Sequence, residues 1–279
     1  MYYFDKVSGV SVIKSIPQHT HRLSSADDES FLNVTDDYVQ QTIVYYQKTL
    51  KQSTRAIEYL KRRHIFKPSV IEHFSLGFAD RTLGKSLKNL GYSQEEKVRG
   101  ALQCSGLLKP SGYEFFCGAI VFPFFDENGR VTGAYGRRIS TKLRPKSAYY
   151  LHWISDDTSF FNLNALLQYD VVVLCKSPLE AVSLYRLGYP CVIAAMSLNS
   201  FNDRHIDKLL QHNIRSVLLA CSKNSRSDNI KKRLVKLGID ARFLALPSQM
   251  DINHCLLSFN AIKAFLATME ELSQLNAVG

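Results

Sequence analysis

Hydrophobic and polar positions along this chain change period from one region to the next, and each period predicts a different kind of structure. Residues 1 to 36 hold no sustained period. Pro17 and the run Ser24, Ser25, Ala26, Asp27, Asp28, Glu29 interrupt them, so a polar, partly ordered leader is expected there. From Thr35 the spacing turns helical. Val39, Ile43, Tyr46 and Leu50 follow a cap at Thr35 or Asp36, while Ile57 and Leu60 follow a cap at Ser53 or Thr54 and lead to a basic end at Lys61, Arg62 and Arg63. A third short helix after Pro68 turns Val70, Ile71 and Phe74 inward. The apolar, β-branched run over 119–125, the turn Asp126-Glu127-Asn128-Gly129 and the return over 131–135 predict an antiparallel hairpin.

After Asp170 apolar runs alternate with helical spacing. Strands are expected over 171–175, 191–196, 216–221 and 242–246, with helices over 178–187, 202–210 and about 227–237. Continuous apolar strands, buried on both faces, with Gly188 and Gly238 stopping two helices, are the mark of a doubly wound parallel α/β sheet. The predicted organisation is α/β: a leader over 1–36, a helical and antiparallel-sheet basic subdomain over 37–168, a parallel subdomain over 169–258, and a closing helix over 259–279.

Composition narrows the partner. The chain has 279 residues, 46% of them hydrophobic, and a formal net charge of +10. It can bury a core in two subdomains, and its charge favours a polyanion through counterion release. Just past the hairpin, Arg137, Arg138, Lys142, Arg144 and Lys146 are interleaved with Tyr149, Tyr150 and Trp153. That mix suits a grip on phosphates and bases together, and also an ordinary solvated basic loop. The six cysteines, Cys104, Cys117, Cys175, Cys191, Cys221 and Cys255, form no closely spaced pair, so a zinc site is not expected, and Cys175, Cys191 and Cys221, in or beside apolar runs, read as reduced small hydrophobes of a cytoplasmic protein. His19 and His21 read as part of a solvated loop. No run approaches the roughly 18 apolar residues of a membrane span.

In open parallel sheets chemistry gathers at the carboxyl ends of the strands. Those ends carry Lys176-Ser177-Pro178-Leu179-Glu180, Ser197-Leu198-Asn199 and Ser222-Lys223-Asn224. The order of elements, with the segment 172–184, resembles the Toprim fold of bacterial (DnaG-type) DNA primases. In that family the first strand ends in Glu-Gly with an Asp four residues beyond the Glu, and the third ends in Asp-x-Asp. The likeness extends outward through Tyr45-Tyr46, Tyr59-Leu60, Arg63 and Phe74 to Ala79, then Phe122-Pro123-Phe124, Asp126, Gly129-Arg130-Val131, Gly136-Arg137 and Pro145-Lys146, and on to Leu246-Pro247 with Asp251. It covers about residues 37 to 256. Its implied fold is a primase-core-like one, with the basic subdomain followed by a Toprim parallel subdomain.

The departures from the family are what bear on function. The resemblance implies a Glu acting as acid-base and metal ligand, and two Asp residues holding magnesium for phosphoryl transfer, work that needs hard anionic oxygens. Here Lys176 stands for the Glu, Ser222 and Asn224 for the two Asp residues, and Glu180 for the neighbouring Asp. Three losses and one gained ammonium raise the local formal charge by about four units. No catalytic residue, metal or cofactor is therefore expected at Lys176, Glu180, Ser222 and Asn224. Lys176 is expected to pair with Glu180, and Asp228 is a displaced-ligand candidate that the helix turns away. Cys117 and Ala119 stand where the family carries arginines, whereas Arg137 and Lys146 resemble its template- or nucleotide-contacting residues.

Three functions stay open. One is a catalytically inactive accessory of DNA replication or of a mobile element, binding single-stranded DNA or RNA through Arg137, Arg138, Lys142, Arg144 and Lys146, or acting through the replicative helicase. Another is a divergent primase making RNA primers with Mg2+. The last is a protein adaptor on a Toprim scaffold.

Overall fold

The structure, a computed structural model, describes residues 3–5, 10–14, 25–140, 142–143, 145, 147–156, 159–244 and 252–253, with side chains from Asp37 onward. The chain forms two compact units, Met1–Tyr59 with Ile71–Asp157 and Leu60–Val70 with Thr158–Gly279. Elements run in the order β1 (Tyr3–Asp5), β2 (Val10–Lys14), α1 (Ser25–Gln52), α2 (Thr54–Arg62), α3 (Pro68–His73), β3 (Gly77–Phe78), α4 (Leu83–Ser86), α5 (Tyr92–Cys104), β4 (Ala119–Phe125), β5 (Val131–Arg138) and β6 (Tyr150–Ile154). There follow α6 (Asn164–Gln168), β7 (Val171–Cys175), α7 (Pro178–Arg186), β8 (Val192–Ala194), α8 (Asp203–Gln211), β9 (Ser216–Ala220), α9 (Ser225–Lys236) and β10 (Asp240–Phe243).

The first unit is built on a sheet in the order β1-β2-β6-β5-β4-β3. Its centre is the expected hairpin, closed by Asp126, whose Oδ1 accepts the N–H groups of Asn128 at 2.9 Å and Arg130 at 2.8 Å. Gly129 supplies the left-handed turn residue at φ 77°. Against the hairpin α1 lays Val39, Ile43 and Tyr46 and α5 lays Val98 and Leu102, in one cluster with Phe116, Ala119, Val121, Ala134, Leu151 and Trp153. A Cβ at Gly136 would collide with the Phe116 ring, so glycine is what lets that ring lie on the strand.

The second unit is the parallel sheet, in the order β10-β9-β7-β8 with every neighbour parallel. Val172, Leu174, Ile193, Val217 and Leu219 are fully buried, as the unbroken apolar strands require.

Several boundaries differ from the expectation. The first helix begins at Ser25, about ten residues before the expected cap, and the leader also contributes β1 and β2. A run rich in Ser and Asp reads as a breaker, yet it is equally what helix starts use. Residues 150–154, read as part of a basic loop, form a sheet strand. The helix expected from about 227 starts at Ser225, because Asn224 caps it. Strand β10 starts at Asp240, two residues early, and residues 245 and 246 lie outside the described part. Outside it too lie the closing helix expected over 261–275, Asp251, Arg144, Lys146, Cys255, His19 and His21. Among the described residues, no helix is long and apolar enough to cross a membrane.

Candidate nucleic-acid interface

Arg137 and Arg138 end β5, and the pleat sends consecutive side chains to opposite faces of the sheet. Arg137 lies level with Ile120 on one side and Tyr150 on the other. Its Nε donates to Tyr59 Oη at 2.6 Å, and its guanidinium carbon stands 5.5 Å from the Tyr149 ring centre and 5.3 Å from that of Tyr150. Tyr150 in turn stacks on Tyr135, with ring centres 6.1 Å apart. Burial works against the Arg137 charge, while the oxygens of Tyr59, Tyr135 and Tyr150 work for it, and the balance is upward. The result is a permanently charged fork with its orientation fixed by one hydrogen bond and two ring faces.

Arg138 takes the other face, opposite Ala119, and its Nη1 donates to the Ala148 carbonyl at 2.9 Å. The five cations expected as one patch are therefore divided. Lys142 is exposed in the following loop, where its carbonyl accepts the Ser140 hydroxyl at 3.1 Å. Trp153 does not join Tyr149 and Tyr150. It is 2% exposed in the core of the first unit and donates Nε1 to the Ser105 carbonyl at 2.6 Å, so it holds the scaffold and presents no face for a base.

At the strand ends of the parallel sheet, several polar groups bond to the protein's own backbone. Lys176, just past β7, has an exposed side chain, and its main-chain N–H donates to Glu180 Oε2 at 3.1 Å. Lys176 thus meets Glu180 through its backbone. Glu180, 4% exposed, sits in the first turn of α7, where a carboxylate is favoured by the unpaired N–H groups and the helix dipole. Asn224 Oδ1 accepts the N–H groups of Arg226 and Ser227, both at 3.0 Å, and Ser227 Oγ accepts the Asn224 N–H at 2.9 Å. This capping box closes the start of α9. The Ser222 carbonyl accepts from Ser227 Oγ at 3.0 Å and from Asn224 Nδ2 at 3.3 Å. Arg226 donates across to the carbonyls of Leu198, at 3.2 Å, and Asn199, tying the loops after β8 and β9 together.

A magnesium ion would need several anionic oxygens converging there. The described residues do not fit it: one buried carboxylate already accepting an N–H, an amide spent on a cap and a serine, with the exposed cation of Lys176 beside them. Among the described residues, no three of His, Cys, Asp and Glu gather closely enough to hold a metal, Asp228 included. Cys175 and Cys221 are buried at these strand ends, and burial pushes the Cys221 thiol up to about 11, which keeps it protonated and unreactive.

Sequence reasoning missed Tyr59, Arg226 and Ser227. Ser227 was legible, since Asn-x-x-Ser before an apolar spacing is a cap signature. Tyr59 and Arg226 act across 78 and 27 or more residues of sequence, and nothing local marks them.

Residues 45–169 match the family described as the DNA primase catalytic core, N-terminal domain. The chain is similar to the DNA primase of Haemophilus influenzae, 33% identical over 114 residues that make up 39% of this chain and 18% of that protein. It is similar to the DNA primase of Clostridium acetobutylicum, 23% identical over 241 residues, 81% of this chain and 39% of that one. Among solved structures, the DnaG primase catalytic domain bound to ssDNA superposes with a TM-score of 0.70 at 24% identity, covering 87% of this chain and 82% of that one. At such identity the superposition establishes the fold, that of a DnaG catalytic core. The chain spans well under half the length of these two curated relatives.

Proposed function

Starting from a primase-like chain, with residues 45–169 in the family of DNA primase catalytic core N-terminal domains, we propose that it binds single-stranded DNA or RNA and does not synthesise primers. Its role would be that of a silent accessory in DNA replication or of a mobile element. The observation that carries this reading is the contrast between its two candidate sites. The strand ends carry an exposed ammonium at Lys176, a hydroxyl at Ser222 and a capping amide at Asn224, and among the described residues no anionic oxygens gather there. The β5 end keeps Arg137 charged between two tyrosine rings, suited to a phosphate with a base beside it. Arg138, Lys142, Arg144 and Lys146 belong to the proposed binding set, the last two lying outside the described residues. That a DnaG catalytic domain has been solved bound to ssDNA supports this choice of partner.

The test is a salt series of single-stranded oligonucleotide binding, together with a primer-synthesis assay in Mg2+ or Mn2+. The expected result is affinity that falls steeply with salt and no primer product. Template-dependent synthesis abolished by Glu180→Ala would establish a divergent active primase instead. A protein partner, such as a replicative helicase, that is retained unchanged after nuclease treatment while the chain ignores oligonucleotides would establish the adaptor.

A further inference from the structure

Two arginines of the first unit stand near one another with no acid paired to either among the described residues. Arg138 spends Nη1 on the Ala148 carbonyl, but its Nε is buried and has no hydrogen-bond partner among the described residues. Leaving such a group unmade costs about 1–3 kcal/mol, more when it is charged, so the site is incomplete as it stands. Arg81 reaches the same strand end from the loop after β3. Its backbone is left-handed at φ 77°, a conformation side-chain-bearing residues seldom adopt. From there the guanidinium lies on Gly118, where a Cβ would meet Nη2 at 3.4 Å and Nε at 3.8 Å.

Gly118 immediately precedes Ala119, the cross-strand neighbour of Arg138, and its carbonyl accepts the N–H of Ile139, the residue after Arg138. The two cations therefore share one corner of the sheet. Burial lowers the pKa of Arg138, the Cys117 thiol opposes this, and the like charge of Arg81 adds to it. Of the acids in these loops, Asp80 and one Glu114 oxygen hold local hydrogen bonds, and Glu114 Oε2 is buried with no hydrogen-bond partner among the described residues. Asp80 Oδ1 accepts the N–H and hydroxyl of Thr82 at 3.0 and 2.5 Å, and Glu114 Oε1 accepts the Leu83 N–H at 2.9 Å. Neither arginine forms an ion pair among the described residues.

We infer that Arg81 and Arg138 form a phosphate-binding pair at this corner of the sheet, a second grip on the polynucleotide backbone besides Arg137. A phosphodiester supplies the oxygens that two guanidinium forks can share, completes the unmade N–H and screens the two cations from each other. The inference rests on the nucleic-acid-binding reading for its ligand, and the phosphate of a free nucleotide has the same chemistry.

Arg81→Gly is the informative variant. Glycine accepts φ 77° without strain and removes a like charge from Arg138, so the melting temperature without anions should hold or rise while binding weakens. A merely structural Arg81 would lower both. Oligonucleotide affinity is measured over a salt series for the parent, Arg81→Gly, Arg138→Gln and Arg137→Ala. In parallel, the melting temperatures of parent and Arg81→Gly are measured in inorganic phosphate and then in a nucleoside triphosphate. Each lost phosphate contact should reduce the slope of log affinity against log salt by about 0.7. A reduced slope in Arg81→Gly assigns the pair to the polynucleotide. If only the phosphate or nucleotide arm responds, and the response vanishes in Arg81→Gly, the pair serves a free phosphate. That result holds even if the parent ignores oligonucleotides and the nucleic-acid reading falls. If the parent binds oligonucleotide but neither arm changes with Arg81, the pair is refuted and the nucleic-acid reading survives. If the parent responds in neither arm, both are refuted.

Discussion

The two units of this molecule treat polar residues at strand ends in opposite ways. In the parallel unit, buried Glu180 and Ser227 sit at helix starts, exposed Asn224 caps one of those helices, and the Ser222 main-chain carbonyl accepts from Ser227 and Asn224. In the antiparallel unit, Arg137 is held by a tyrosine hydroxyl and two rings, and Arg138 keeps a buried N–H unmade. The lesson concerns which substitutions a scaffold tolerates. Asn and Ser cap a helix about as well as Asp does, so anionic oxygens can vanish from the parallel unit without cost to its fold. An arginine at a half-buried strand end has no such second use, and it persists only where the surroundings hold it or an anion meets it.

The largest test of this contrast lies inside the antiparallel unit, at Glu114. It is 3% exposed, and burial, with Asp80 adding to it against the Leu83 N–H, pushes its carboxyl up to about 7. Such a group stabilises the fold fully while protonated, below the unfolded value near 4.5, and loses that stabilisation as pH rises toward 7. Glu114→Gln should therefore gain on the parent across that window, by on the order of 3 kcal/mol in denaturant unfolding. A flat difference would show the carboxyl to be ionised and satisfied throughout. His152, whose pKa burial lowers to about 4, works in reverse and costs both proteins stability as pH falls below about 6.5, so only the difference is diagnostic.

Gly136→Ala comes next. The added methyl meets the Phe116 ring and the Leu151 Cβ, and should cost about 1–3 kcal/mol while displacing Arg137. Oligonucleotide affinity at parental strength in the folded variant would break the link between the strand and the binding residue. In the parallel unit the effects shrink. Asn224→Ala should lose about 1 kcal/mol by thermal unfolding, whereas Asn224→Asp, which keeps the cap, should lose almost nothing. Equal losses would mean that the amide matters for something other than capping. Smallest is Lys176→Ala, expected within about 0.5 kcal/mol of the parent, since the Lys176 side chain is exposed and its backbone N–H, which the substitution keeps, meets Glu180. A clear drop in melting temperature would restore the ammonium as Glu180's partner.

The periodicity of the sequence by itself determined the parallel alternation from Val171 onward, the hairpin around Asp126 and Gly129, and the helices carrying Val39 to Leu60. A period of two or of 3.6 is written in consecutive residues. The expectation that Lys176, Ser222 and Asn224 stand in place of acids came from the family resemblance and not from periodicity. Tertiary structure alone decided that Arg137 and Arg138 part company, that Trp153 is core, and that Tyr59 and Arg81 belong beside β5. A pleat can be read from sequence, but which of its faces is covered depends on elements folded back from far away, here α1 and α5. Tyr59 and Arg81 lie 78 and 57 residues from Arg137 and Arg138, counted directly along the chain. No local pattern carries that information, because the contacts exist only once the sheet has closed.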